Sequence, residues 1–251
     1  MNDEVKLDLV RENRTGLSEA IFCEGKSGSQ LLYICEAIKA HGKPVLFTRL
    51  SQAQYELLND AHPQLLEYNP ISRTATSILW TPNITGNITG TPNIITGTPN
   101  IDNQASSNSN TRTPNNRVTS VAVVSGGSSD VPVASEVVET LGFYGISSLT
   151  INDVGVAGLW RLTERLDEIR AHKIVICIAG MDAALPTVLG GLISSAIIAV
   201  PTSVGYGMAK DGETALRSLL VSCSPGICVV NIDNGYGAAC AAVRMLNQLS
   251  R

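Results

Sequence analysis

The chain has 251 residues, with 18 Lys+Arg against 22 Asp+Glu, a net charge of −4 and only 16% charged residues. That balance excludes nucleic-acid or anionic-membrane binding driven by bulk charge, which needs a basic excess or stripe. Hydrophobic residues at 44% permit a sizeable core, yet no apolar run approaches the roughly 18 residues of a membrane span. The polar N-terminus MNDEVKLDLVRENR does not read as a secretory signal. Six Cys in a chain this long are too sparse for a disulfide scaffold, so a cytoplasmic location with free thiols is expected.

Residues 1–80 read as a small N-terminal α/β domain. SQLLYICEAIKAH sets Leu31, Leu32, Ile34, Cys35 and Ile38 on one face, which predicts a helix from about Ser29 to His41, stopped by Gly42. Lys43-Pro44 then leads into a short buried strand, VLFT, and Ser51 caps a second helix from Gln52 to Asn59. Residues 81–117 are almost pure Thr, Asn, Ser, Gly, Pro and Ile, with Thr-Pro-Asn-Ile starting at Thr81, Thr91 and Thr98. Proline at 82, 92, 99 and 114 interrupts helix and ladder alike, and Ile alone supplies bulk, so a disordered low-complexity linker is expected. A β-solenoid is the structured alternative, for which three irregular repeats are few. The sequons at Asn83 and Asn87 read as coincidence in a cytoplasmic protein.

From residue 118 onward short apolar strands alternate with helices. Strands are expected at Val121–Val124, Ser148–Ile151, Ile174–Ile178, Ile197–Val200 and Ile227–Ile232. Helices are expected over residues 132–141, up to about Ala171, after Asp182, over 213–222 and in the Ala-rich C-terminus. The pattern implies an α/β fold whose C-terminal part, 118–251, is a three-layer doubly wound parallel sheet with right-handed crossovers. A Gly-rich loop follows each strand, so the loops gather at the carboxyl edge, where such folds bind ligands.

This segment holds 8 Lys+Arg against 11 Asp+Glu, so an anion at the loops would be held by backbone N–H groups rather than by a basic patch. In Ser125-Gly126-Gly127-Ser128-Ser129-Asp130 the glycines admit a close ligand, Ser128 can donate and Asp130 can accept from a sugar hydroxyl. A Ser/Asp N-cap with glycines easing the turn is the plainer alternative. The loop is neither a Walker loop nor a G-x-G-x-x-G fingerprint. His41, His62 and His172 fall at helix ends or connectors and no Gly-x-Ser-x-Gly elbow occurs, which disfavours a Ser-His-Asp hydrolase. No C-x-x-C pair points to structural zinc. Five cysteines have core readings. Cys223 ends a helix at a turn, where a small apolar cap residue is the plain reading and the helix carbonyls disfavour a thiolate unless a cation stands by. Asp182, after the central strand, either caps the next helix or orients a cationic ring and takes a proton. Tyr206 could pack over a flat ligand, and Asp233 with Asn234 could close a turn or meet a polar ligand edge.

SGGSSDVPVA, NDVGVAGLWRL, AGMDAALPTVLGGL, AVPTSVGYG, the turn Ser222-Cys223-Ser224-Pro225-Gly226 and VVNIDNGYGAACAA occur in this order. Together with LDLVRENRTG, EGKS, PVLFTRLS and YNPISRTA they make the chain resemble the LarB family, the pyridinium-3,5-biscarboxylic acid mononucleotide synthases of nickel-pincer cofactor synthesis. Only the Thr/Asn-rich stretch falls outside the match. The C-terminal half is also similar to the aminoimidazole ribonucleotide carboxylase/mutase of purine synthesis, except that Ala184 stands where that enzyme has its working histidine.

The resemblance implies a dinucleotide substrate, nicotinic acid adenine dinucleotide, carboxylated at ring carbon 5 by CO2 as co-substrate and hydrolysed to release AMP. It implies Cys223 as a transient nucleophile at ring carbon 4 and, with it in the catalytic set, Asp182 as the acidic residue facing the ring. Substrate contacts are expected from Gly126, Gly127, Ser128, Asp130, Asp153, Gly155, Gly180, Met181, Pro201, Ser203, Gly205, Tyr206, Gly207, Asn231, Asp233 and Asn234. No tightly bound cofactor is expected; Mg2+ is a candidate helper in the hydrolysis, although no carboxylate cluster marks a metal cage. A homo-oligomer, an octamer by resemblance, is expected, with no nucleic acid or membrane partner. The departures are Trp160 where histidine often precedes Arg161, Asp182 where glutamate is usual, and Cys23 where glycine is usual. The alternatives are a purine-type carboxylase/mutase and a non-catalytic nucleotide-binding module.

Overall fold

Two sheets with separate cores make up one unit of the computed structural model, which describes residues 4–78 and 120–249. The Thr/Asn-rich stretch, read as a disordered linker, and its sequons lie outside the described residues.

The first sheet is mixed, in the order β1-β2-β4-β3, from β1 (Ala20–Phe22), β2 (Leu46–Thr48), β3 (Leu66–Asn69) and β4 (Thr74–Ser77). β1 and β2 are parallel, whereas β4 runs antiparallel to both of its neighbours. A short helix α1 (Arg11–Thr15) precedes the sheet, and α2 (Gly28–His41) and α3 (Gln52–Ala61) connect its strands. Both longer helices begin with a capping box: Ser27 and Ser51 accept from the N–H of Gln30 and Gln54, whose side chains reach back to the cap N–H. Gly42, at φ 75°, ends α2 and donates to Ile38 O. Leu31, Ile34, Cys35 and Ile38 of α2 pack with Phe47 and Ile21 of the sheet, as the helical spacing requires.

The second sheet has five strands, all parallel, in the order β6-β5-β7-β8-β9: β5 (Val121–Ser125), β6 (Ser148–Ile151), β7 (Ile174–Ala179), β8 (Ala196–Pro201) and β9 (Ile227–Val229). Every residue of β5 and β7 is buried, and their side chains alternate between two cores. Val121, Val123, Ile174, Ile176 and Ile178 meet α4 (Val131–Phe143) and the small-residue helix α9 (Gly235–Leu249). Ala122, Val124, Val175 and Cys177 face α5 (Leu159–Glu164), α6 (Leu166–Arg170), α7 (Ala184–Gly190) and α8 (Glu213–Leu220). This is the expected three-layer α/β architecture, with a switch point between β5 and β7, where the strand order reverses.

Three elements went unforeseen. α1 is short, and the hairpin β3–β4 is built from LEYN and TATS, which lack the apolar alternation that marks a strand. The helix expected up to Ala171 breaks at Arg165, whose φ of −105° and ψ of 4° end α5 and open α6. β9 stops at Val229 rather than Ile232, because the chain turns to let Asp233 N–H donate to Pro201 O at 2.9 Å.

Candidate active site

Because all five strands run the same way, the loops that leave them share the carboxyl edge. Those after β5 and β7 flank the switch point: Gly126 N–H donates to Ile178 O at 2.9 Å. Ser125 Oγ, at the end of β5, donates to Asn152 Oδ1 in the loop after β6, and Val154 N–H returns a bond to Ser125 O. Gly155 approaches so closely that a Cβ there would sit 2.7 Å from Gly126 O. Asp153 stays at the rim, ion-paired with Arg161 at 2.5 Å, beside an exposed Trp160.

Asp130 is 4% exposed. One carboxylate oxygen accepts from Gly127 N–H at 2.9 Å, the other from Thr202 Oγ1 at 2.7 Å. Burial raises its pKa above the ordinary carboxylate range, against the pull of those two bonds. It therefore ties the β5 loop to the β8 loop, and a sugar hydroxyl would have to share an oxygen already engaged. Ser128 is exposed nearby. Thr202, absent from the sequence reading, is fully buried; a threonine in PTSVGYG carries no local signal for a bond to residue 130.

The loop after β7 is the most constrained. Met181 N–H donates to Val204 O at 2.8 Å, and Gly180 lies so close to the β8 loop that a Cβ would strike the Val204 carbonyl and come within 2.7 Å of Thr202 Oγ1. Met181 and Ala183 have φ of 54° and 48°, the left-handed region that costs side-chain-bearing residues of this kind about 1–3 kcal/mol each. Between them stands Asp182, exposed, accepting from Ala184 N–H at 3.3 Å. Ala183 is the N-cap of α7, and Asp182, one residue before it, touches the first turn through one oxygen while its carboxylate stays exposed.

Pro201 and Thr202 are buried, while Ser203, Tyr206 and Gly207 are exposed and Gly205 packs against Ala209. Ser203 N–H donates to Asp233 Oδ1 at 2.8 Å, so the β8 and β9 loops are joined. Asn231 is exposed, and Asn234 Oδ1 accepts from Gly237 N–H. Arg49, from the first sheet, also reaches this turn: its guanidinium donates to Asp233 O at 2.5 Å and lies 3.9 Å from the buried Glu136. With Arg49 and Asp233 184 positions apart in the sequence, no local pattern could have flagged it.

Cys223 does not join this cluster within one chain. It lies in the turn from α8 into β9, and a segment entering a parallel strand sits at the amino edge. Ser222 and Ser224 bond to Thr187 and its carbonyl, at the middle of α7, and Gly190 at the end of that helix lies against Ser224. The six-residue strand β7 alone spans about 20 Å. The thiol is exposed. Among the described residues no three His, Cys, Asp or Glu side chains gather where they could hold a metal ion. Nor is any described helix long and apolar enough to cross a membrane.

Residues 2–79 match the family model for the LarB/PurE-like N-terminal domain and residues 120–250 that for AIR carboxylase. An uncharacterized protein of Methanocaldococcus jannaschii is 33% identical over 241 residues, covering 95% of this chain and 82% of its own. The N5-carboxyaminoimidazole ribonucleotide mutase of the same organism is 34% identical over 131 residues, covering 50% of this chain and 78% of its own. The crystal structure of Treponema denticola PurE is similar at 26% identity and a TM-score of 0.44, over 51% of this chain and 80% of that one.

Proposed function

The chain belongs to the LarB family, a LarB/PurE-like N-terminal domain joined to a carboxylase-type domain, and on that premise we propose that it carboxylates the pyridinium ring of nicotinic acid adenine dinucleotide at carbon 5 and hydrolyses the phosphoanhydride to release AMP. The observation that carries this reading is Asp182, an exposed carboxylate on a turn strained on both sides, beside the switch point. Strain of this kind persists where the surrounding structure enforces a working geometry.

A pyridinium ring is electron-poor and cannot attack CO2. Addition of the Cys223 thiolate at carbon 4 removes the positive charge and leaves a dihydropyridine, an enamine nucleophilic at carbon 5. Carbon 5 attacks CO2, Asp182 takes the carbon 5 proton, and expulsion of the thiolate restores the aromatic cation. The cationic ring stabilises the thiolate that approaches it, so the sulfur need react only in the complex. Because Cys223 and Asp182 occupy opposite edges of one sheet, the thiol that meets the ring comes from a second copy, and the working enzyme is a homo-oligomer.

The purine-type reading lacks its histidine. Ala184 opens α7, while His41, His62 and His172 lie at the end of α2, after α3 and after α6, none of them in a carboxyl-edge loop. The test is mass spectrometry of the protein mixed with nicotinic acid adenine dinucleotide and bicarbonate. AMP and a biscarboxylated mononucleotide are expected, whereas Cys223→Ser should bind the dinucleotide and yield no carboxylated product. Turnover of carboxyaminoimidazole ribonucleotide instead, or carboxylation surviving in Cys223→Ser, overturns the proposal.

A further inference from the structure

The turn after β9 is held from outside its own sheet. Asp233, at its centre, is engaged three ways. Its N–H donates to Pro201 O at 2.9 Å, its Oδ1 accepts from Ser203 N–H at 2.8 Å, and its carbonyl accepts from the Arg49 guanidinium at 2.5 Å. The first two bonds come from the neighbouring β8 loop, whereas the third comes from the residue that follows β2 in the first sheet. Asp233 has a φ of 54°, so the turn is kept in a left-handed backbone that a non-glycine residue resists. Arg49 has the same φ of 54° where it leaves β2, so both ends of the bond are strained. The chemistry proposed above makes no use of Arg49.

Arg49 also stands where negative charge accumulates. Glu136 is buried, and its Oε2 accepts from Tyr236 N–H at 3.2 Å in the first turn of α9, where a helix favours a carboxylate. Arg49 Nε lies 3.9 Å from the other carboxylate oxygen. Burial disfavours the charged forms of Asp130 and Glu136, and the nearby Asp233 carboxylate adds to it at both. Arg49 is the cation that acts against this at Glu136. From the Asp233 turn the hydrogen bonds run on toward the proposed acid. Thr202, between Pro201 and Ser203, donates its Oγ1 proton to Asp130, and Val204 O accepts from Met181 N–H, beside Asp182.

We infer that Arg49 is a positioning residue: through it the first sheet fixes the Asp233 turn, and with that turn the β8 loop, in the geometry that receives substrate. The inference rests on the dinucleotide reading and deepens it, because it gives the first sheet a part in substrate binding without contact with substrate. Two roles of the guanidinium are separable. Beside Glu136 it offsets a buried charge, which bears on stability. Bonded to Asp233 O it sets the turn that carries Asn231, Asp233 and Asn234, the expected substrate contacts. A second bridge, from Asn69 Nδ2 to Glu139 Oε1 at 2.7 Å, joins the first sheet to α4 without touching these loops. It separates docking of the sheet from control of the edge.

The experiment measures melting, carboxylation kinetics and amide hydrogen exchange on the full chain. Wild type, Arg49→Gln, Glu136→Gln, the double variant and Asn69→Asp are compared. Arg49→Gln leaves Glu136 buried without its cation and should melt lower than wild type. Adding Glu136→Gln removes that charge and should return most of the loss. The double variant should still show a dinucleotide KM raised roughly ten-fold, as for one lost charge-assisted bond, with kcat changed less. In it the amides of Ser203 and Asp233 should exchange faster while those of β5 keep wild-type rates. Glu136→Gln alone spares the bond to Asp233 and should keep its KM. Asn69→Asp retains the acceptor that closes its own turn but sets a carboxylate against Glu139, so it should melt lower with KM unchanged. A purely structural arginine would lower stability and leave KM and local exchange alone. Wild-type KM and exchange in both Arg49 variants overturn the inference and leave the function standing. A KM raised as much by Asn69→Asp as by Arg49→Gln also overturns it, since docking of the sheet would then suffice. A wild type that neither binds nor carboxylates the dinucleotide overturns the function, and faster exchange at Ser203 and Asp233 in the double variant would even then support the tether.

Discussion

Buried carboxylates and buried thiols are where single residues of this protein reveal their surroundings. Glu136 is 3% exposed, and burial raises its pKa more than Arg49 and the N–H groups of Tyr236 and Gly235 lower it. A carboxyl raised in the folded state contributes stability that is complete below the ordinary glutamate range and is lost as pH rises through the raised value. The advantage of wild type over Glu136→Gln should therefore shrink between mildly acidic and neutral pH, as read by urea midpoints at the two conditions; Asp130 shifts in the same direction. For the thiols, Cys23, Cys35, Cys177 and Cys240 are buried while Cys223 and Cys228 are exposed. A disulfide-exchange reagent should modify at most two thiols in the native protein and all six in denaturant. Asp182, Asp233 and Tyr206 could be picked out from their place in Gly-rich loops after strands. Thr202, Glu136 and Arg49 could not, because each earns its role only through a partner distant in the chain.

Secondary elements were legible wherever apolar spacing was strong. The capping boxes at Ser27 and Ser51 bracket helices that the pattern placed to within two residues, and the strands of the second sheet fell where continuous Val/Ile runs stood. The hairpin β3–β4 was invisible, since Thr74, Ser77 and Glu67 blur the alternation. At the loops the determinant is close approach rather than pattern. Gly180 fits between Val204 and Thr202 only without a Cβ. Gly180→Ala should cost about 1–3 kcal/mol by overpacking and should displace Met181 and Asp182 with it. Denaturation midpoints should fall and carboxylation should be lost together, whereas an unchanged midpoint would mean that the β8 loop yields freely.

At the scale of the whole molecule, the second sheet sends Asp182 and Cys223 to opposite edges, so the proposed chemistry requires two subunits. Cys223→Ser and Asp182→Asn should each abolish carboxylation. Unfolded together, refolded and assembled at random, they should regain about a quarter of wild-type activity, since one site in four then draws an intact cysteine and an intact aspartate from different chains. No recovery, with mixed assemblies demonstrated by mass, would mean that both residues act from one chain. Helix α4 carries a second consequence. On one side it packs on the parallel sheet, and on the other its Ser135, Glu136 and Glu139 receive Asn69 and Arg49 from the smaller sheet. Asp130, just ahead of it, holds two of the active-edge loops. A cut that leaves only residues 120–250 would therefore not recreate a free-standing mutase-like enzyme: it would strip a shared wall of its cladding and turn a stabilised acidic flank into bare, self-repelling surface.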